Sequence, residues 1–234
     1  QEQETEKSYR MSLMAIERQH QAEREALETQ INAHFLCNTL GTINYEAIEA
    51  GNRKVSLLIK KLSNILRYTF DQKCQNVYMS QEFAWIEQYL YLQKARFEDA
   101  FDYEIDLQEE YDMWPCCKLM LQPFVENAII HGFKGREIGG MLKIMAKGQG
   151  EYIKIVINDN GYGIPEEREK AIQEIIKGND VSDDLRIGIG IRNVVARIHI
   201  FYGDSAQISL WSKEGEGTKF EFLLPYPERK EECI

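Results

Sequence analysis

The sequence predicts an α+β protein in which a helical segment precedes a two-layer sandwich of helices and strands. Up to about residue 98 the apolar residues recur at helical spacing, whereas from Phe101 onward several segments alternate apolar and polar residues as half-buried strands do. The strand-like segments are separated by helical stretches and glycine-rich corners. This order favours a mixed sheet over a strictly alternating doubly wound one.

Length and composition limit the possible functions. The 234 residues are enough for one full domain and a smaller module. The formal net charge of −10 argues against nucleic acid as a direct partner, because such proteins need a basic face. No run of about 18 apolar residues and no leader is present, so we expect neither a membrane span nor a signal peptide in this sequence. Five cysteines without a C-x-x-C pair predict reduced thiols.

The first 75 residues are predicted to be mostly helical. Residues 1–30 carry a broken heptad, which predicts a helical, coiled-coil-like arm. Residues 31–49 and 53–70 follow as two helices joined by a turn at Ala50-Gly51-Asn52. Two antiparallel helices cannot bury both of their apolar stripes alone. We therefore predict a homodimer in which the two hairpins form a four-helix bundle.

The rest of the chain is predicted to hold the sandwich. Residues 71–80 are expected to be a linker, with Ser80 as the N-cap of a helix over residues 81–98. Strands are expected over residues 101–107, 141–146, 152–158, 206–211 and 218–224. Helices are expected near residues 116–131, 166–177 and 189–201.

Three segments of the second half carry candidate chemistry, because each places polar side chains or glycines at the end of a predicted helix or strand. They are residues 121–132, with Glu126, Asn127 and His131; residues 153–163, which end in Asp159, Gly161 and Gly163; and residues 188–193, which begin with Gly188 and Gly190.

The spacing of these glycines excludes two familiar nucleotide sites. In a dinucleotide fingerprint G-x-G-x-x-G, the third glycine would fall at Glu166 or at Asn193. A Walker A loop is absent from the sequence.

The order of the segments resembles the ATP-binding domain of sensor histidine kinases and their GHKL relatives. The matching residues are Glu126-Asn127, Asp159-x-Gly161-x-Gly163, Gly188-x-Gly190, and Gly217-Thr218 before the last strand. Upstream, residues 30–40 resemble the phosphoacceptor segment of the LytS/YesM-like branch. The resemblance implies a helical arm over residues 1–30, a dimerisation and phosphoacceptor hairpin over 31–75 and an ATP-binding domain of GHKL type over 76–228.

The resemblance also implies ATP and Mg²⁺ as cofactors and a role for each matched residue. His34 would be the phosphoacceptor, and Asn127 would ligate Mg²⁺ through its side-chain oxygen. Asp159 would accept a hydrogen bond from the adenine amino group, with Thr218 near the base. Glu126 is the candidate to hold the nucleophile or its water. The other candidate nucleotide ligands are Gly132, Gly161, Gly163, Gly188 and Gly190, together with His131, Lys134 and Arg192.

Three positions depart from the family pattern, one of them being Cys37, which stands where an aromatic residue is usual. Ala33 stands where the branch has a proline before the histidine, which implies a straighter helix. Ile130 stands where a lysine is common, so the phosphate charge must be met by His131, Lys134, Arg192 or the metal. Asn38 lies one helical turn after His34, where it either orients a water for dephosphorylating a partner regulator or sets the helix register.

The resemblance therefore implies the cytoplasmic part of a two-component sensor kinase in the inner or plasma membrane, anchored only by a segment upstream of this sequence. It would autophosphorylate His34 and pass the phosphate to an aspartate of a response regulator with an AraC-like or LytTR-like output. Two alternatives stay open. One is a GHKL-type ATPase switch without phosphohistidine, and the other is a degenerate kinase that acts as a dimeric scaffold.

Overall fold

A computed structural model describes residues 33–71, 75–179 and 189–227 of the chain. The chain divides into two compact units, one ending at Phe70 and the other beginning at Asp71. The predicted arm over residues 1–30 lies outside the described residues. Within the described ranges no helix has both the length and the apolar character needed to cross a membrane.

The first unit contains the predicted helical hairpin. Helix α1 is described over residues 33–49, and helix α2 covers Arg53–Phe70. Asn52 caps α2, because its side-chain oxygen accepts the Val55 N–H at 3.1 Å. Across the hairpin, the Ser56 hydroxyl donates to the side-chain oxygen of Asn44 at 2.8 Å. The turn and both helices thus follow the predicted pattern within the described residues.

Within its described residues, the second unit combines four helices with two sheets, which confirms the α+β class. The helices are α3 (Met79–Phe97), α4 (Gln122–Asn127), α5 (Glu166–Ile176) and α6 (Ile189–Tyr202). The strands are β1 (Asn76–Tyr78), β2 (Phe101–Leu107), β3 (Pro115–Cys117), β4 (Gly140–Gln149), β5 (Tyr152–Asp159), β6 (Gln207–Lys213) and β7 (Gly217–Pro225).

The main sheet has five strands in the order β2-β4-β5-β7-β6. Strands β2 and β4 are parallel, while the other neighbours are antiparallel. One face of the sheet is apolar and packs against helices: Phe124 of α4 contacts the rings of Phe220 and Phe222 of β7, with centroids 4.7 and 4.9 Å apart. At one end of the neighbouring strands β5 and β7, the register sets Asp159 opposite Thr218.

The prediction of a linker over residues 71–80 is wrong from residue 76 onward, and so is the prediction of Ser80 as an N-cap. Residues Asn76–Tyr78 form strand β1, which pairs antiparallel with Pro115–Cys117, and α3 begins at Met79. The Gln81 side chain accepts the Tyr78 N–H at 2.8 Å. The backbone N–H groups of Met79 and Ser80 donate to the carbonyls of Trp114 and Asp112, at 2.8 and 3.0 Å. Backbone contacts therefore replace the expected serine cap.

The prediction of one helix near residues 116–131 is also wrong in its first third. Its first residues belong to β3, and Leu119 has a φ of +57°, which interrupts any helix. Helix α4 starts at Gln122 and continues as a π-helical turn over Ala128–Gly132, where the Phe133 N–H donates to the Ala128 carbonyl at 3.0 Å.

Two charged side chains hold the segment that leads into α4 through hydrogen bonds to its backbone. The carboxylate of Glu82 in α3 is 1% exposed and accepts the N–H groups of Leu119 at 2.6 Å and Leu121 at 3.4 Å. From α6, the Arg197 guanidinium donates to the carbonyls of Lys118 at 3.1 Å and Leu119 at 3.3 Å. Side chains from two helices thus satisfy the peptide groups on both sides of the positive-φ residue, which fixes the start of α4.

Candidate functional site

A pocket lies between α4, α5, the start of α6 and the ends of β5 and β7. It is a small hollow that is partly open to solvent. Its lining residues are Phe124, Asn127, Ala128, His131, Gly132, Asp159, Gly163, Ile164, Pro165, Arg168, Ile172, Ile191, Thr218 and Phe220.

Asp159 is the buried acidic group of this pocket. The residue is 6% exposed, and its Oδ1 accepts the Gly161 N–H at 2.8 Å. Burial raises the pKa of Asp159, and this outweighs the opposing effects of the Gly161 and Thr218 N–H groups and of the Arg136 charge. A carboxylate held by backbone donors at the end of a strand is a fixed acceptor for a polar group of a bound ligand.

The two glycines after Asp159 are required by the protein's own packing. A Cβ at Gly161 would lie 2.5 Å from the Gly132 carbonyl oxygen and 2.7 Å from Asp159 Oδ1. Gly163 has a φ of +73°, and a Cβ there would lie 2.2 Å from the Lys213 carbonyl oxygen. In addition, the Tyr162 N–H donates to the Gly132 carbonyl at 2.9 Å. The loop after β5 is thereby pressed against the end of the π turn.

Thr218 is buried beside a hydroxyl that the sequence interpretation missed. The Ser212 Oγ lies 3.0 Å from Thr218 Oγ1. It donates to the Gly217 carbonyl at 3.0 Å and accepts the Ile164 N–H at 2.8 Å. Ser212 occupies an inward-facing position of β6, where the alternation calls for an apolar residue. A serine at an apolar position of a predicted strand was the sequence feature that could have pointed to this residue.

Helix α4 and its π turn bring three predicted residues to the pocket: Asn127, His131 and Gly132. Desolvation, followed by the charges of Arg168 and Lys134, lowers the pKa of His131. The imidazole is therefore neutral at neutral pH and can accept or donate a hydrogen bond.

Two other predicted residues on this part of the chain do not line the pocket. Lys134 is exposed and acts on His131 only through its charge. Glu126 is half-buried, and its Oε1 accepts a hydrogen bond from Gln122 Nε2 at 2.7 Å.

The predicted residues of the third segment are not all brought together. Gly190 is exposed at the start of α6, and its position next to Pro123 leaves ordinary contact distances of 3.5 Å and more for a Cβ. Its neighbour Ile191 lines the pocket, whereas Arg192 lines a second hollow with Lys177 and His199. Gly188 lies outside the described residues.

The acceptor candidates lie on α1 of the first unit. His34 and Asn38 are both exposed, and Asn38 Nδ2 lies 3.3 Å from His34 Nδ1 and 3.4 Å from Nε2. The amide and the imidazole therefore share one face of the helix, as their spacing of four residues predicts.

Two further polar residues near the pocket were not foreseen. Arg168 of α5 is a lining residue. The Oδ1 of Asn160 accepts the Met141 N–H at 2.7 Å and an Arg136 N–H at 3.0 Å, while its Nδ2 donates to the Gly139 carbonyl at 3.0 Å. Asn160 thus ties the loop before β4 to the loop after β5, a role that sequence spacing does not reveal.

The donor set limits how a metal ion can be held. Among the described residues there is no cluster of three His, Cys, Asp or Glu side chains that could bind a metal alone. Asn127 offers one side-chain oxygen at the pocket. One such ligand fits Mg²⁺, which is usually held by one or two protein oxygens, substrate phosphates and water.

The comparison with family models assigns the second unit to the GHKL class of ATPase domains. Residues 117–228 match the family described as histidine kinase-, DNA gyrase B-, and HSP90-like ATPase. Residues 22–101 match a second family, described as histidine kinase. The chain belongs to the histidine kinase family and resembles its LytS/YesM-like branch.

Two known proteins show how far the similarity extends. The sensor protein kinase HptS of Staphylococcus aureus (strain USA300) is 31% identical over 199 residues, which cover 85% of this chain and 37% of HptS. The chain thus spans little more than a third of the length of this relative. The histidine kinase domain of the Erythrobacter litoralis EL346 blue-light activated histidine kinase superposes with a TM-score of 0.50 at 13% identity, over 83% of this chain and 94% of that chain. This second likeness concerns the fold alone.

Proposed function

We propose that this chain is the catalytic part of a two-component sensor kinase, which transfers the γ-phosphate of ATP to His34 and then to an aspartate of a response regulator. The observation that carries the proposal is the pocket built around the buried Asp159 carboxylate, in a chain that also bears the exposed His34 on a separate helical unit. A nucleotide site and an accessible imidazole are the two components that such a transfer requires.

In this proposal the pocket residues bind and orient ATP. Asp159 accepts a hydrogen bond from the adenine amino group, and Thr218 lies beside the base. The apolar lining, which includes Phe124 and Ile172, covers the ring faces. Asn127 supplies a side-chain oxygen to Mg²⁺, which when bound neutralises phosphate charge. The phosphate-binding roles of Gly188, Gly190 and Arg192 stay predictions.

His34 acts as the nucleophile. A ring nitrogen lone pair forms the N–P bond as the bond between the γ-phosphorus and the β–γ bridging oxygen breaks, and ADP leaves. The exposure of His34 gives the γ-phosphate access to the ring, and Asn38, within 3.4 Å of both ring nitrogens, can fix its orientation. Glu126, half-buried next to Asn127, is proposed to hold the nucleophile or a water.

The hairpin is proposed to pair with a second copy in a homodimer. Large apolar side chains on α1 and α2 stay exposed in the single chain, including Phe35 at 65%, Ile48 at 59% and Ile43 at 47%. A four-helix bundle would cover such a stripe.

The partner regulator and the location of the protein are part of the same proposal. We infer a response regulator with an AraC-like or LytTR-like output and a cytoplasmic position below a membrane-bound sensor segment. The support is the similarity to a sensor protein kinase over 85% of this chain.

The test is incubation of the purified chain with labelled ATP and Mg²⁺, in parallel with His34→Gln. We expect an acid-labile, base-stable label on the protein that disappears in the variant. ATP hydrolysis without such a label would instead indicate an ATPase switch, and no detectable ATP affinity would indicate a degenerate scaffold. His20→Gln is a matched control, because that histidine has no partner motif in the sequence.

A further inference from the structure

We propose that Arg168 of α5 is a protein cation that binds the phosphate chain of the nucleotide. This inference rests on the proposed ATP binding and goes beyond it, because no motif in the sequence points to this arginine. Arg168 is half-buried and lines the pocket that contains Asp159, Asn127 and His131.

Arg168 is the one permanently charged cation among the described residues that line this pocket. His131 lines the same pocket, but the charges of Arg168 and Lys134, with desolvation as the largest cause, hold its pKa down. The Arg168 guanidinium and the His131 imidazole are therefore close enough to influence each other. Because the neutral imidazole supplies no charge at neutral pH, the guanidinium is the positive charge that the lining of this pocket offers to the anionic part of the ligand.

The guanidinium of Arg168 has no hydrogen bond or ion pair with any other residue that the structure describes. Two acids on the same helix have other partners: Glu166 pairs with Lys170 at 2.5 Å, and Glu169 accepts bonds from Gln173 and from the Ser212 N–H, at 3.1 and 3.2 Å. A half-buried cation without a counter-ion is costly unless a ligand supplies the negative charge. Phosphate oxygens do so with the bidentate geometry that a guanidinium favours.

The cation sits on a fixed support. Helix α5 buries Ala171, Ile172 and Ile175 and contacts β6, and the Gln173 side chain donates to the Leu210 carbonyl at 3.4 Å. Arg168 lies one turn before Ile172, which lines the same pocket. The helix therefore presents an apolar side chain and a guanidinium to one ligand, as a nucleotide with an uncharged base and a charged tail requires.

The experiment measures the affinities of adenosine, AMP, ADP and ATP with Mg²⁺ for the unaltered chain, Arg168→Met, Arg168→Lys and Lys170→Met. We expect Arg168→Met to weaken ATP binding by about ten- to a hundredfold, the size of a lost charged hydrogen bond. ADP binding should weaken less and adenosine binding should not change. Arg168→Lys should recover part of the loss. Lys170→Met removes an exposed charge from the same helix and should bind ATP as the unaltered chain does.

A second measurement uses the unaltered chain and does not depend on how Arg168→Met folds. A dicarbonyl reagent modifies exposed arginines, and mass spectrometry follows the peptide that contains Arg168. We expect ATP to protect it and adenosine to leave it reactive. Unchanged ATP affinity of Arg168→Met, equal losses for adenosine and ATP, or equal protection by both would overturn the inference. Failure of the unaltered chain to bind ATP would instead overturn the proposed function.

Discussion

The carboxylate of Glu82 accepts the backbone N–H of Leu119 at 2.6 Å, although the two residues are 37 positions apart in the sequence. This contact links α3, the helix that follows the acceptor hairpin in the chain, to the segment that leads into α4. Leu119 is held at a φ of +57°, a conformation that costs a non-glycine residue free energy.

Replacing Glu82 by alanine is expected to destabilise the second unit. The N–H groups of Leu119 and Leu121 would lose their acceptor in a buried position, which costs about 1–3 kcal/mol per unsatisfied group. Chemical denaturation should show a lower free energy of unfolding. Glu87→Ala, on an exposed position of the same helix, is the control and should change it little. Equal stability of the two variants would contradict a supporting role for Glu82.

Replacing Asp159 by asparagine is expected to separate stability from nucleotide binding. Asparagine keeps an oxygen that can accept the Gly161 N–H. Toward the ligand, however, it presents an NH₂ group or a weaker acceptor than the carboxylate oxygen. ATP affinity, measured by titration calorimetry, should fall at least about tenfold, whereas the thermal unfolding midpoint should not fall comparably. A large drop in both would assign Asp159 a mainly structural role.

The free energy of unfolding and the ATP affinity should both depend on pH through the protonation of Asp159. Burial raises its pKa above the ordinary value of 3.8, so the native chain binds this proton more tightly than the unfolded chain does. The ionised carboxylate therefore lowers the free energy of unfolding at neutral pH, and this cost disappears as the pH falls through the raised pKa. ATP affinity should run the opposite way and weaken over the same interval, because protonation removes the acceptor. Both trends should be absent in Asp159→Asn.

Alanine substitutions at two glycines are expected to have opposite effects. A Cβ at Gly161 would lie 2.5 Å from the Gly132 carbonyl oxygen, so Gly161→Ala should cost about 1–3 kcal/mol of stability and abolish ATP binding. Gly41 lies inside α1 with nothing within 4 Å of its Cβ position. Gly41→Ala should therefore stabilise the hairpin by about 0.5–1 kcal/mol. Normal ATP affinity in Gly161→Ala would show that this loop tolerates movement.

Asn38 is expected to influence the phosphate rather than the fold of the hairpin. Its amide lies 3.3 Å from His34 Nδ1, on an exposed face where a water can be held. Asn38→Ala should slow the loss of phosphate from the phosphorylated regulator, measured by gel separation over time. Thr42→Ala, one turn further along α1, is the control. An unaltered rate in Asn38→Ala would leave the asparagine a role in helix register only.

Much of the fold follows from periodicity. The α2 bounds Arg53–Phe70 and the β2 bounds Phe101–Leu107 agree with the predicted ranges, because each segment keeps one period from end to end. Strands β1 and β3 escaped prediction because each has three residues, too few to show an alternation. Their pairing depends on a partner about 40 residues away, which local sequence does not encode.

The sequence predicted those site residues that belong to recognisable short motifs. Asp159, Asn127 and Thr218 are in one pocket, as the order of the motifs predicts. Ile191 and Arg192 are consecutive residues of α6 and point about 100° apart, and they line two different hollows. The rotation of α6 about its own axis, which decides which side chains face the pocket, is set by its packing against the rest of the unit. For the same reason Arg168, four residues before Ile172 on α5, was not a candidate before the helix had a defined orientation.

The π turn over Ala128–Gly132 also determines which residues after Asn127 face the pocket. It accommodates one residue more per turn than an α-helix does, so everything after it is displaced by one position relative to Asn127. A deletion of one residue within it would restore regular winding and rotate Gly132 away from the Gly161 loop by about a quarter of a turn. The spacing between Asn127 and Gly132 is therefore a quantity that insertions and deletions in this chain must conserve, even where individual side chains can be exchanged.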